Sequence, residues 1–357
     1  MLNLRLINWQ VTLISIFLVS IGILVIFSSS RELAFQQLIF FIIGFFLFFL
    51  VSQIDISALA TLARPAYFLI ILLLIVVLIL GIETRGAVRW IPLGFINFQP
   101  SEFAKPVLIL FLARFWSINL PTWRNIFKSI IWTLPLFILI FRQPDLGSAL
   151  TIVAIWLGML FATKVSFKKI MAIILIAVFI LPFSWTFLKD YQRQRIISFI
   201  APASDQLGTG YNLIQSTIAV GSGQFWGRGL GRGTQSRLQF LPEFRTDFIF
   251  ASIAEEMGLL GSTLILTLYL FLICYFFILA SRMADPINLL TAVGVVSMIL
   301  FQTSVNIGMN IGLLPITGIT LPLISYGGSS LISTFILLGL VSSAWNFGKR
   351  IDHNQLN

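Results

Sequence analysis

An all-α polytopic membrane protein is the fold class this sequence predicts: about ten transmembrane helices in a single domain over residues 1–357, with a long extracytoplasmic loop (189–246) between spans seven and eight. Three observations carry it. Hydrophobic residues fill 58% of the 357 positions and charged residues only 10%, against roughly half and a quarter in soluble domains. The apolar residues fall in long blocks, such as Pro65 to Leu80 and Ser262 to Ala280, which match the run of about 20 needed to cross a bilayer. The basic residues are unevenly shared between alternate connections, as the positive-inside rule requires.

Taken in order, the spans fall at Trp9 to Phe27, Phe35 to Val51, Pro65 to Leu80, Ser101 to Phe115, Phe127 to Phe141, Leu146 to Phe161, Lys169 to Phe187, Phe248 to Ala280, Asn288 to Leu314 and Ser325 to Phe347. With a cytoplasmic N-terminus the inner segments carry Arg5, Arg64, Arg114, Arg124, Lys128, Lys164, Lys168, Lys169, Arg282, Lys349 and Arg350. The short outer segments carry only Arg31, Arg85, Arg89 and Arg142. Both termini are therefore expected in the cytoplasm. The formal charge of +10 then has a topological explanation and does not call for a nucleic-acid partner. No cleavable leader is evident before the first span.

Two outer segments are larger than simple connections. Gly81 to Pro100 reads as a turn and a short hairpin or interfacial segment, with Trp90 suited to the headgroup level. Lys189 to Thr246 is too long to be only a link, and its apolar spacing from Tyr211 to Val220 predicts a short amphipathic helix. The span after it exceeds one crossing, so a break is expected near Gly258 and Gly261. Gly312 to Ser330, rich in Gly and Pro, is either a loop that packs back on the site or a rigid turn.

The chemistry-bearing groups gather at one polar-to-apolar boundary, Gly227 to Gly261, which holds Arg228, Arg232, Arg237, Arg245, Glu243, Asp247, Glu255 and Glu256. The single His353 lies in the C-terminal tail and the single Cys274 inside an apolar run, which excludes histidine-triad hydrolysis, thiolate metal clusters and an intrachain disulfide. Asp247 follows Thr246, a candidate helix N-cap; it is then either a capping carboxylate or a catalytic base, kept ionised by the helix N-terminus. Glu255 lies eight residues on, about 12 Å along a helix, too far to share one bond with Asp247 and better suited to a structural contact. Glu102 and Lys105 form a same-face pair at the start of a span. Lys105 either closes a network with Asp145 or holds a substrate phosphate that Asp145 orients, directly or through a divalent cation. Arg193 and Arg195 present planar donor forks suited to diphosphate oxygens, with Arg237 and Arg245 as further substrate-binding candidates. An outer anionic-lipid contact is the alternative for these arginines.

Four motifs stand in order along the chain: RWIPLGFINFQPSEFAK at Arg89 to Lys105, QPDLG at Gln143 to Gly147, GTQSRLQFLPEFRTDFIFASIAEEMG at Gly233 to Gly258, and LPLISYGGSS at Leu321 to Ser330. By these it resembles the SEDS (shape, elongation, division and sporulation) family of RodA- and FtsW-type proteins, and GSG at Gly221 to Gly223 with GTQS at Gly233 to Ser236 looks more RodA-like. The resemblance implies a ten-span bacterial cytoplasmic-membrane enzyme with its active site facing outward. Such an enzyme polymerises lipid II into peptidoglycan glycan strands beside a class B penicillin-binding protein. It implies Asp247 as the essential aspartate, with Lys105, Glu102 and Asp145 as the remaining motif charges. The expected reaction is an inverting transfer from undecaprenyl-linked donor glycan, with undecaprenyl diphosphate leaving and either no cofactor or a divalent cation, Mg2+ or Mn2+. A lipid II flippase and a membrane scaffold for the penicillin-binding protein are the alternatives.

Overall fold

The computed structural model describes residues 8–84, 87–92, 97–202, 208–238 and 240–354. Its helices run α1 (Trp9–Ser29), α2 (Arg31–Ser52), α3 (Ile56–Thr61), α4 (Ala63–Leu80), α5 (Pro100–Ile118), α6 (Trp123–Arg142), α7 (Leu146–Ala162), α8 (Phe167–Ser184), α9 (Asp190–Ile200), α10 (Thr209–Ser222), α11 (Thr234–Arg237), α12 (Ile249–Ser281), α13 (Pro286–Asn310) and α14 (Gly328–Asn354). Among the described residues seven of them, α1, α2, α4, α6, α12, α13 and α14, are long and apolar enough to cross a membrane, and α7 is a shorter apolar helix. The chain is thus an all-α, multi-spanning membrane protein. Between α4 and α5 lies one small antiparallel sheet of β1 (Ile82–Thr84), β2 (Ala87–Pro92) and β3 (Asn97–Phe98), the hairpin expected there.

Polar residues at the ends of apolar runs start the helices. Side chains of Asn8, Ser30, Thr122, Asp145 and Asp285 accept from the first-turn N–H groups of α1, α2, α6, α7 and α13. Helices α13 and α14 form the centre, more than 70% buried along their spans, whereas α2, α4 and α6 turn most of their surface outward. Small residues allow the close approach: a Cβ on Gly158 would sit 1.9 Å from Ser297 Oγ, joining α7 to α13. Helix α8 stands apart, with no described residue buried. Between it and α7 lies a shallow apolar groove lined by Leu157, Leu160, Phe161, Ile170, Ile173 and Ile174.

The expected break in the long span is at Gly258, whose φ of 66° and ψ of −160° interrupt α12. The reason is a docked loop: Arg228 and Gly229 donate backbone N–H bonds to the carbonyls of Glu255 and Glu256, and Leu259 donates to Gln224. Backbone passes so close that a Cβ on Gly223 would lie 1.8 Å from Ala254 O. Gly261, also considered for the break, is regular helix against the Met257 side chain. The 189–246 segment is thereby folded onto the bundle, with the expected amphipathic helix as α10, its Leu213 and Ala219 buried against Phe244, Phe248, Ala251 and Met309.

Candidate active site

Asp247 lies just ahead of α12. The expected cap at Thr246 is corrected here: α12 begins at Ile249 with Phe248 at its N-cap. Thr246 instead turns its hydroxyl back to the Glu243 carbonyl (3.2 Å) and carboxylate (3.0 Å), held by a left-handed turn at Glu243 (φ 55°). Asp247 therefore stands before the helix and outside its first turn. Its backbone is gripped from α13, where Asn306 Nδ2 donates to Asp247 O (2.8 Å) and to Ile319 O (2.7 Å), and Asn310 Nδ2 donates to Asp247 O (3.1 Å). Asn310 Oδ1 accepts from Ala251 N (3.0 Å), so one side chain spans the start of α12. Both asparagines are fully buried.

The Gly312 to Ser330 segment packs back, resolving the open choice between loop and turn. Ser325 Oγ donates to Thr246 O (2.6 Å) and Tyr326 N to Arg245 O (2.9 Å). Gly318, at φ 77°, faces the carboxylate: a Cβ there would lie 3.5 Å from Asp247 Oδ2 and 3.7 Å from Arg195 Nη1. Only glycine adopts this conformation readily, and only glycine leaves the space open. Arg195 reaches across from α9 to donate to Thr317 O (3.0 Å).

A second pair completes the cleft wall. Arg89, on β2, donates to Gln143 O (3.0 Å) and Pro144 O, and its guanidinium stands 3.9 Å from Asp145 Oδ2. Asp145 caps α7, accepting from Ser148 N (3.0 Å) and Ser148 Oγ (2.9 Å), and it also accepts from Gln99 Nε2 (3.3 Å). Arg195, Arg89, Asp145 and Glu243 all act electrostatically on Asp247. Burial, reinforced by the charge of Glu243, pushes the Asp247 carboxyl up to about 6 against the pull of Arg195 and Arg89. The stabilisation of the charged form expected from a helix N-terminus is outweighed by desolvation, because the carboxylate is outside the first turn; it remains ionised at neutral pH with its titration range raised.

The other predicted residues divide. Lys105 and Glu102 form the expected pair (2.7 Å) at the start of α5, with the lysine 1% exposed; Asp145 is bound elsewhere, so Lys105 and Asp145 do not close one network. Arg193 lies on the far face of α9, donating to the carbonyls of Trp185 (3.1 Å) and Thr186 (3.2 Å). Arg245 is held by Ser29 at the end of α1, Nε to Oγ 2.8 Å, and stacks over Phe244. The Arg237 side chain lies outside the described residues. Glu255 is the structural contact expected of it, accepting from Thr234 Oγ1 (3.1 Å), Gln235 N (2.9 Å), Ser236 N (3.2 Å) and Ser236 Oγ (3.1 Å). Glu256 accepts from Ser28 Oγ (2.9 Å). Asp145's oxygens already meet Ser148, Gln99 and a guanidinium. Among the described residues no three His, Cys, Asp or Glu side chains gather.

Arg89, Asn306, Asn310 and Gly318 are the site members that sequence reasoning missed. Asn306 and Asn310 carried a signal, since two amides four residues apart inside an apolar span face one way and need partners. Arg89 carried little, for its role depends on a carbonyl pair 54 and 55 residues away.

A family model described as "Cell cycle protein", for FtsW, RodA and SpoVE, matches residues 2–349. The chain is 43% identical over 281 residues to peptidoglycan glycosyltransferase MrdB of Escherichia coli strain K12, covering 78% of this chain and 76% of that protein. It is 34% identical over 356 residues to stage V sporulation protein E of Bacillus subtilis strain 168, covering 94% and 96%. Among solved structures it is similar to a chain from a peptidoglycan synthase complex that coordinates polymerization and crosslinking, at TM-score 0.83 and 33% identity over 96% of this chain and 98% of that one. It is likewise similar to the Thermus thermophilus rod shape determining protein RodA, at TM-score 0.71 and 30% identity over 94% and 95%.

Proposed function

The chain belongs to the FtsW, RodA and SpoVE family, and from that premise we propose how its residues do the family's work. It is a peptidoglycan glycosyltransferase that polymerises lipid II-linked glycan. The observation that carries the mechanism is a carboxylate raised to about 6, its backbone clamped by two buried asparagines and its open side facing Arg195 across Gly318. A base poised near the working pH is efficient in proton transfer.

Asp247 accepts the proton of the 4-hydroxyl on the terminal N-acetylglucosamine of the acceptor. That oxygen bonds to the anomeric carbon of the donor N-acetylmuramic acid, the bond to the diphosphate breaks, and the configuration inverts. Undecaprenyl diphosphate takes the bonding electrons and the proton passes from Asp247 to solvent. Arg195, with the fixed charge of Arg89 behind it, stabilises the leaving diphosphate. Arg195 suits this role better than Lys105, which is enclosed and neutralised by Glu102. Glu102, Lys105 and Asp145 serve as supports of the cleft wall.

Ten spans, cytoplasmic termini and an outward-facing site complete the proposal, supported by the excess of basic residues on the inner segments. A class B penicillin-binding protein is the proposed crosslinking partner, by likeness to the synthase complex. The test is lipid II turnover by the purified chain in liposomes beside Asp247→Asn, which keeps size and polarity and loses the base. Glycan polymer that disappears in the variant is expected. Near-native polymer from Asp247→Asn would remove Asp247 from the mechanism, and intact lipid II crossing the bilayer without polymer would replace the enzyme reading by a flippase.

A further inference from the structure

Helix α9 turns two different faces to its surroundings. Arg193 points back to the turn at 185–187, while Tyr191 and Arg195, four residues apart, share the opposite face. The Arg195 guanidinium stands 5.9 Å from the centre of the Tyr191 ring. Arg195 is the same residue that donates to Thr317 O and faces Asp247 across Gly318. The Tyr191 hydroxyl lies within the field of Arg195, Arg89 and Asp145, so the aromatic side chain belongs to the cleft.

That hydroxyl is buried and its proton meets no acceptor among the described residues; the neighbouring Gln192, whose Oε1 accepts from Lys189 N, offers only its amide N–H to the phenol oxygen. A buried, unsatisfied hydroxyl costs about 1–3 kcal/mol, and nearly all such groups in folded proteins are satisfied. It lies in the field of two guanidinium groups and one carboxylate, a net positive environment that suits an anion. Burial also pushes Tyr191 above its usual titration range, so the group remains a donor at working pH.

We propose that Tyr191 is a substrate-binding residue whose O–H donates to a non-bridging oxygen of the donor's diphosphate, alongside Arg195. No bond is made or broken at Tyr191; its proton stays on the phenol while the diphosphate gains charge. The proposal rests on undecaprenyl diphosphate being the leaving group, as set out above.

Tyr191→Phe removes one oxygen atom whose proton has no acceptor and keeps the ring under Arg195, so the melting temperature of the full chain is expected to change little. Binding of undecaprenyl diphosphate to the full chain in nanodiscs is expected to weaken about tenfold or more, the scale of a hydrogen bond to a charged group. Phosphatidylglycerol binding, measured in parallel, is expected to be unchanged, and kcat/KM for lipid II to fall with the diphosphate affinity. Native-like diphosphate affinity in Tyr191→Phe overturns the assignment of Tyr191 alone, since saturable binding by the native chain keeps the leaving-group reading intact. Equal losses for undecaprenyl diphosphate and phosphatidylglycerol overturn it in favour of a general phospholipid contact. Absence of saturable diphosphate binding by the native chain overturns both this assignment and the reading beneath it.

Discussion

In the mechanism proposed above the carboxyl of Asp247 is the group on which the chemistry turns, and its raised pKa then makes the rate depend on pH in a way that two neighbours control. With a pKa of about 6, Asp247 is about 97% ionised at pH 7.5, half ionised at pH 6 and about 9% ionised at pH 5. A base must be deprotonated to act, so turnover at saturating lipid II falls roughly tenfold between pH 7.5 and pH 5. Burial is the main cause of the shift and the Glu243 charge the next, while Arg195 opposes both. Glu243→Gln removes the negative neighbour and keeps an acceptor for the Thr246 hydroxyl. Its acid limb is expected to move to lower pH. Arg195→Gln removes the opposing cation, so its limb is expected to move to higher pH as its overall rate drops. The assay is initial polymerisation rate by the full chain in liposomes from pH 5 to 8.5, with the three proteins run on one lipid II preparation. Titration of the substrate itself would leave all three limbs together. A flat native profile, or a Glu243→Gln limb that stays in place or moves upward, would refute the role of Asp247 as a desolvated base.

Lys105→Met leaves Glu102 as an uncompensated buried carboxylate and is expected to cost about 3–5 kcal/mol, seen as a lowered melting temperature with activity lost in step. A variant that melts like the native chain yet fails to bind undecaprenyl diphosphate would instead return Lys105 to the substrate. Glu255→Ala strands the four donors that hold residues 234–236, a loss on the order of 3–5 kcal/mol. Limited proteolysis should then cut the 223–238 segment early, and native-like protection there would show that the loop is held by something else.

The multi-spanning helical class, the break at Gly258, the hairpin after α4 and the helix at 209–222 were legible in the sequence because each reports a local property. Length and apolarity state what can cross a bilayer, and a period of about 3.6 states which face is covered. Three of the candidate residues, Asp247, Asp145 and Arg195, lie close enough to act on one another electrostatically. The partners of the candidate residues were not legible. Lys105 could have met Asp145 or Glu102, and Arg193 and Arg195 looked equivalent until α9 turned them apart.

By itself the sequence determined a multi-spanning helical protein of this family. Only the tertiary structure decided that Asp247 stands ahead of its helix, held by amides 59 and 63 residues away and opposed by a guanidinium whose other contact spans 122 residues. The reason is physical: local pattern sets which segments leave water, whereas the pKa of a buried carboxylate and the partner of a buried charge depend on which segments then become neighbours.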